Sequence, residues 1–70
     1  MKFVLTLIAA DGTALNVEMM EGVRDALRSL GAETGSLDWL APDHACDISF
    51  NNIAPDQADA AARHVIGTQT

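Results

Sequence analysis

The segment from Leu37 to Phe50 constrains the fold of this chain most, because it reads as a hairpin of two strands. Leu37 and Trp39 share one side of the first strand, and Pro42-Asp43 supplies a turn. The return strand alternates between apolar and polar side chains. The inward residues are Cys46, Ile48 and Phe50, and the outward residues are Asp47, Ser49 and Asn51. One face of the hairpin is therefore predicted to be buried and the other solvated.

Helical patterns lie on both sides of the hairpin. From Asn16 to Leu30, apolar residues recur at spacings of three and four and form one stripe, made of Val17, Met20, Val23, Leu27 and Leu30. Asn16 suits the N-cap, and Gly31 suits the position just past the helix end. A second helix is predicted to begin at Pro55 and to close at Gly67. Its apolar stripe consists of Ala58, Ala61, Ala62, Val65 and Ile66.

Residues 3–9 predict a first strand that is apolar on both faces. One face carries Phe3, Leu5 and Leu7, and the other carries Val4 and Ile8. A strand of this kind is usually central in its sheet or covered on both faces. The tripeptide Asp11-Gly12-Thr13 ends the strand, since Gly12 tolerates a positive φ. The residues from Ala32 to Gly35 read as a connector between the first helix and the hairpin.

The predicted order is β-α-β-β-α, which indicates the α+β class. It matches a ferredoxin-like split βαβ plan with an antiparallel sheet and two helices on one face, its final strand missing or supplied by a partner. In that plan the fourth strand lies beside the first, so residues 3–9 are left with an open edge that invites pairing with another chain. We expect a homodimer through this strand. Residues 1–70 form a single domain that reads as a fragment of a longer chain.

Composition excludes several classes of function. The chain carries four basic and ten acidic residues, a formal net charge of -6. Nucleic-acid binding and a membrane-surface helix both depend on Lys and Arg, so neither is expected. No apolar run approaches the roughly 18 residues of a membrane-spanning helix. The apolar run after Lys2 is short and is interrupted by Thr6, which disfavours a signal peptide and favours a cytoplasmic location.

The most reactive residue types of the chain, His44 and Cys46, invite a metal-site interpretation. Both side chains bind zinc, but a site needs three or four converging ligands and His64 is distant in sequence. A Cys-His nucleophile would also need an orienting group and oxyanion donors. Cys46 reads better as a small core residue and His44 as an exposed turn residue. We therefore assign no catalytic residue and no metal ligand, and keep a small metal protein centred on this pair as an alternative.

The loop Asp11-Gly12-Thr13 is the candidate ligand site. It joins the first strand to the first helix, where backbone N–H groups and the helix N-terminus favour an anion such as a carboxylate. Asp11 and Glu18 oppose an anion through their own charge. An ordinary strand-to-helix turn is the simpler interpretation, and both interpretations stay open.

Several short segments resemble the N-terminal domain of the bacterial phosphoserine phosphatases. They are Val4–Ala9 in the first strand, Leu30–Ala32 at the end of the first helix, and above all Asp38–Pro42 followed by Ala45–Ile48 in the hairpin. The resemblance spans most of residues 3–66. It implies an ACT-like βαββαβ module, a type associated with amino-acid sensing and subunit contacts, placed ahead of a catalytic domain of the haloacid dehalogenase type.

In that family the catalytic domain uses an aspartate nucleophile in an Asp-x-Asp-x-Thr motif with Mg²⁺. Asp11-Gly12-Thr13 lacks the second aspartate, so the 70-residue piece itself is expected to be non-catalytic and to need no cofactor. The resemblance implies the parent's catalytic domain as a partner and serine as a ligand, with Gly12 as the loop glycine that ligand-binding ACT modules commonly use. A stand-alone binding domain unrelated to any phosphatase is the alternative.

Overall fold

The computed structural model describes residues 1–10, 13–41 and 43–68, and it confirms the predicted β-α-β-β-α order. The elements are β1 (Phe3–Ile8), α1 (Val17–Ser29), β2 (Glu33–Ala41), β3 (Ala45–Asn51) and α2 (Pro55–Thr68). The α+β class follows directly from this arrangement. Neither helix in the described ranges has the length and hydrophobicity of a membrane-spanning segment.

The three strands form one antiparallel sheet in the order β1-β3-β2. The return strand of the hairpin, β3, is therefore central. Among the described strands β1 lies at an edge, in agreement with the open edge expected for residues 3–9, although its two apolar faces had favoured a central or covered strand. The second apolar face of β1 is exposed rather than covered, with Val4 59% and Ile8 77% accessible. An antiparallel sheet of this size with two helices is compatible with a small ferredoxin-like fold.

Both helices pack on the inner face of the sheet. Ile48 at the centre of β3 and Ala58 of α2 are completely buried. Of the predicted α1 stripe, Met20, Val23 and Leu27 are also completely buried, whereas Val17 and Leu30 at its two ends are about half exposed. The core comprises Leu7, Leu15, Met20, Val23, Leu27, Ala32, Cys46, Ile48, Phe50, Ile53, Ala58 and Ala62. The two helices approach each other closely at Gly22, where an added Cβ would lie only 3.3 Å from Val65 Cγ1. Alanine and glycine on the facing sides make this approach possible.

The predicted ends of α1 are confirmed. The Asn16 side chain accepts a 2.7 Å hydrogen bond from the Met19 N–H, which is the expected N-cap bond. At the other end Gly31 has a φ of 101°, and the Ala32 N–H donates to the Leu27 carbonyl at 3.1 Å. These two features form a Schellman-type stop, in which a glycine adopts the left-handed conformation that other residues avoid.

Two predicted boundaries differ from the structure. The residues from Ala32 to Gly35 do not form a connector, because β2 already begins at Glu33 and is interrupted by a register shift between Thr34 and Leu37. Gly35 lies against the Ser49 hydroxyl of β3, so its missing side chain makes room for the pairing. The second helix ends at Thr68, one residue beyond its predicted end at Gly67. Pro42, half of the predicted turn, lies outside the described residues, and Asp43 beside it has a φ of 62°.

Candidate functional site

The outer edge of β1 presents backbone groups to which no other described strand is paired. The Ala9 N–H donates to the His44 carbonyl at 2.8 Å, which fixes the phase of the β1–β3 ladder. Bonded and non-bonded pairs alternate along antiparallel strands, so the N–H and C=O groups of odd-numbered β1 residues face β3. Those of Val4, Thr6 and Ile8 therefore point away from β3, toward the open edge.

An apolar groove of about 410 Å³ runs beside this edge. Its walls come from β1, from the segment that leads into α1, and from one side of α2. The apolar lining includes Leu5, Leu7, Ala9, Leu15, Met19 and Ile66. A strand that entered here would pair with β1 along its backbone and would lie beneath α2. We call this the edge groove.

Among the described residues that line the edge groove, the two charged side chains are paired with each other, and β1 itself carries no charge. The Arg63 Nε–H donates to Asp59 Oδ2 at 2.9 Å within α2, and both side chains are largely exposed. On the outer face of the sheet, the Thr6 hydroxyl donates to Asp47 Oδ1 at 2.6 Å. The groove therefore offers apolar surface and backbone hydrogen bonds rather than a net charge.

The predicted ligand loop is described only in part, because Asp11 and Gly12 lie outside the described residues. Thr13 is described, and both its hydroxyl and its N–H donate to the Ala10 carbonyl, at 2.6 and 3.0 Å. The first turn of α1 also has its own cap in Asn16. Thr13 lines the edge groove as well, so the loop and the groove are neighbours. Ligand binding at Asp11-Gly12-Thr13 stays a prediction.

The side chains of His44 and Cys46, which suggested a metal site, do not point toward a common position. Cys46 points into the core and is fully buried, whereas His44 is exposed in the turn. Within residues 1–10, 13–41 and 43–68, no three His, Cys, Asp or Glu side chains lie close enough to hold one ion. Burial raises the pKa of the Cys46 thiol, and the carboxylates of Asp47 and Asp38 raise it further. A neutral buried thiol is a packing residue rather than a nucleophile.

We expect the free energy of unfolding to fall above about pH 9, because the Cys46 thiol ionises more easily in the unfolded chain than in the folded one. The contribution is fully present below the unfolded pKa, near 9.0, and is lost as the pH rises through the higher folded value. The chain contains no tyrosine, and Lys2 is its single lysine, so few other groups titrate there. Urea midpoints measured at neutral pH and at about pH 10 test this.

Cys46→Ala is the matched control for that measurement, since alanine is also small and apolar but cannot ionise. Its midpoint should change less between the two pH values than that of the wild type. An equal decrease in both proteins would contradict the role given to the thiol.

The sequence reasoning missed most of the edge groove, although one signal for it was available. Leu15 directly precedes the N-cap and is buried together with Met20, four residues into the helix. An apolar residue before the cap that packs on the fourth helical residue is a hydrophobic staple. That pattern predicts that Leu15 is buried against the first turns of α1. It does not reveal that Met19 and Ile66 line a groove, because their meeting depends on how α1 and α2 cross the sheet.

Comparisons with protein-family models, with curated proteins and with solved structures find no match to this chain. The case for a function therefore depends on the residues and the geometry described above.

Proposed function

We propose that this chain is a non-catalytic regulatory and interaction module, ACT-like in fold, from the N-terminus of a phosphoserine phosphatase of L-serine biosynthesis. The observation that carries the proposal is the strand order β1-β3-β2 with an unpaired β1 edge beside an apolar groove. A ferredoxin-like sheet has its fourth strand beside the first. The order of the described strands is compatible with that plan without its fourth strand, and the groove lies beside the β1 edge.

The nature of the resembling residues supports a module rather than a catalyst. Ile48 and Cys46 are core residues of β3, and Gly31 ends α1. Residues 38–41 form the last part of β2. These positions contribute to the fold, and the one thiol among them, that of Cys46, is buried in the core. In this proposal the hydrolysis of phosphoserine, and the Mg²⁺ that it requires, belong to the parent's catalytic domain.

The partners in this proposal are that catalytic domain, a serine ligand at the Asp11-Gly12-Thr13 loop, and another polypeptide at the β1 edge. The polypeptide at the β1 edge can be a second copy of this chain, in a homodimer formed through the residue 3–9 strand. The location is cytoplasmic, where serine synthesis takes place. A stand-alone binding domain is the alternative, and the same open edge is compatible with it.

We expect no release of phosphate when the chain is incubated with O-phosphoserine and Mg²⁺, since Asp11-Gly12-Thr13 lacks the second aspartate of the phosphatase motif. The positive test is a titration with L-serine, followed through the backbone amide resonances. Shifts are expected at Thr13 and in the first turn of α1, and D-serine serves as the matched control. Turnover above a buffer blank would refute the non-catalytic role. Identical spectra with and without L-serine would remove the sensing role and favour the stand-alone alternative.

A further inference from the structure

The face of the sheet that points away from the helices carries exposed side chains from all three strands. We propose that this outer face docks an amphipathic, basic helix of a partner protein, with an arginine or lysine of that helix seated between Asp38 and Asp47. The inference concerns a different surface from the β1 edge. It depends neither on a phosphatase as the parent nor on serine as a ligand.

Two carboxylates face each other at the centre of the outer face. Asp38 of β2 and Asp47 of β3 are directly paired across the antiparallel ladder. The Cβ atoms of such a pair lie about 4.5–5.5 Å apart, and like charges placed there are destabilising. The Thr6 hydroxyl donates to Asp47 Oδ1 at 2.6 Å but adds no positive charge. We call Asp38 and Asp47 the acid pair.

The four basic residues of the chain all lie in its described part, and none of them forms an ion pair with the acid pair. Arg24 and Arg63 pair with carboxylates of their own helices. Arg28 donates to a threonine hydroxyl of β2. Lys2 lies near Asn51, at the far end of β3 from the turn. A cation that neutralises the acid pair must therefore come from a partner.

Exposed aliphatic side chains surround the acid pair. Val4 and Ile8 lie in β1, two residues to either side of Thr6. Leu40 lies in β2, two residues beyond Asp38. These three aliphatic residues are between 57% and 77% accessible. Apolar contacts that surround a charged centre exclude water from it, and the attraction between opposite charges is stronger where water is excluded.

The dimensions of the outer face suit one helix. Three strands spaced about 4.8 Å apart separate β1 from β2 by about 10 Å, which is the diameter of a helix with its side chains. Val4 and Ile8 are about 13 Å apart along β1. Because a helix rises about 1.5 Å per residue, aliphatic side chains seven or eight positions apart reach both. A basic residue four positions after the first of them lies over the acid pair.

The charge of the acid pair disfavours other occupants. A second copy that docked through the same face would bring two acid pairs together and increase the repulsion. Anionic lipids and nucleic acids are repelled for the same reason. A calcium ion takes six to eight oxygen ligands, whereas no group of three His, Cys, Asp or Glu side chains forms in the described ranges. A basic helix with an apolar face matches both the charge and the aliphatic surround.

The probe for this proposal is the capped peptide acetyl-Ala-Gln-Ala-Leu-Ala-Gln-Ala-Arg-Ala-Gln-Leu-Ala-Gln-Ala-Ala-amide, titrated into the isotope-labelled whole chain. Its two leucines and its arginine share one face of a helix. The largest shifts of backbone amide resonances are expected at Val4, Ile8, Asp38, Leu40 and Asp47. Added salt should weaken the binding. The control peptide exchanges the arginine with the glutamine two positions before it, so the charge moves to the opposite face. It should bind about tenfold more weakly or less.

Asp38→Lys should abolish peptide binding and raise the urea midpoint of the free chain, because the lysine pairs with Asp47 across the strands. Asp56→Asn is the matched control, since it removes a negative charge from the first turn of α2, in the helical layer. It should bind the peptide as the wild type does.

Equal binding of the two peptides, or undiminished binding by Asp38→Lys, would overturn the proposal. Shifts confined to α1 and α2 would also overturn it. A dimer of the free chain seen by light scattering and dissociated by Leu40→Asp would identify a second copy on the outer face, and would overturn the proposal as well.

Discussion

Ile48→Ala should lower the free energy of unfolding by about 2–5 kcal/mol, because it removes a completely buried side chain from the centre of β3. A domain of this size has a total stability of roughly 3.5–10 kcal/mol. The substitution therefore removes a large share of the total. Each kcal/mol corresponds to about 4–8 °C in a domain of this length. Thermal and urea unfolding followed by circular dichroism measure the loss.

Ile8→Ala is the matched control, since it makes the same chemical change on a side chain that is 77% exposed. Its expected effect is within about 0.5 kcal/mol of zero, as for most surface substitutions. A loss for Ile8→Ala as large as that for Ile48→Ala would contradict the assignment of Ile8 to the open face. It would indicate that this face is covered in solution.

Leu5→Pro should unfold the chain, whereas Thr6→Pro should leave a cooperative transition. The Leu5 N–H faces β3 in the derived ladder, and proline removes that bond and disturbs the pairing at a cost of about 3 kcal/mol or more. The Thr6 N–H faces the open edge, where proline is tolerated. Amide spectra and urea unfolding of both variants test the difference between neighbouring positions.

Reversed behaviour, with Leu5→Pro folded and Thr6→Pro unfolded, would show that the opposite set of backbone groups faces outward. Thr6→Val separates the loss of the hydroxyl bond to Asp47 from the effect of the ring.

The parts of the fold that the sequence predicted well are those with strong local patterns. Alternation along β3 identified its buried residues, and Asn16 and Gly31 marked the ends of α1 through specific backbone bonds. The start of β2 was missed because Glu33 to Ser36 have weak strand propensity and form an irregular pair with β3. That pairing depends on Gly35 meeting Ser49, which is a contact between strands and not a local signal.

The position of β1 in the sheet was harder to predict for a related reason. The two apolar faces of β1 favoured a central or covered strand, whereas the ferredoxin-like plan left it with an open edge. The sheet order agrees with the open edge, and the exposure of Val4 and Ile8 shows that one face is uncovered. The edge groove could be predicted as an open strand edge but not as a cavity, because Leu15, Met19 and Ile66 come from three segments. The candidate ligand loop is a prediction from local chemistry alone, and Thr13 is its one described residue.

Because Cys46 is completely buried, its reaction with a reagent in solution can be used to follow transient opening of the fold. As the single sulfhydryl, set in the central strand and kept neutral, it is reached by peroxide or an alkylating reagent only when the sheet separates from the helices. The rate at which Cys46 is oxidised or alkylated therefore reports the equilibrium population of the open state when reclosing is faster than the reaction.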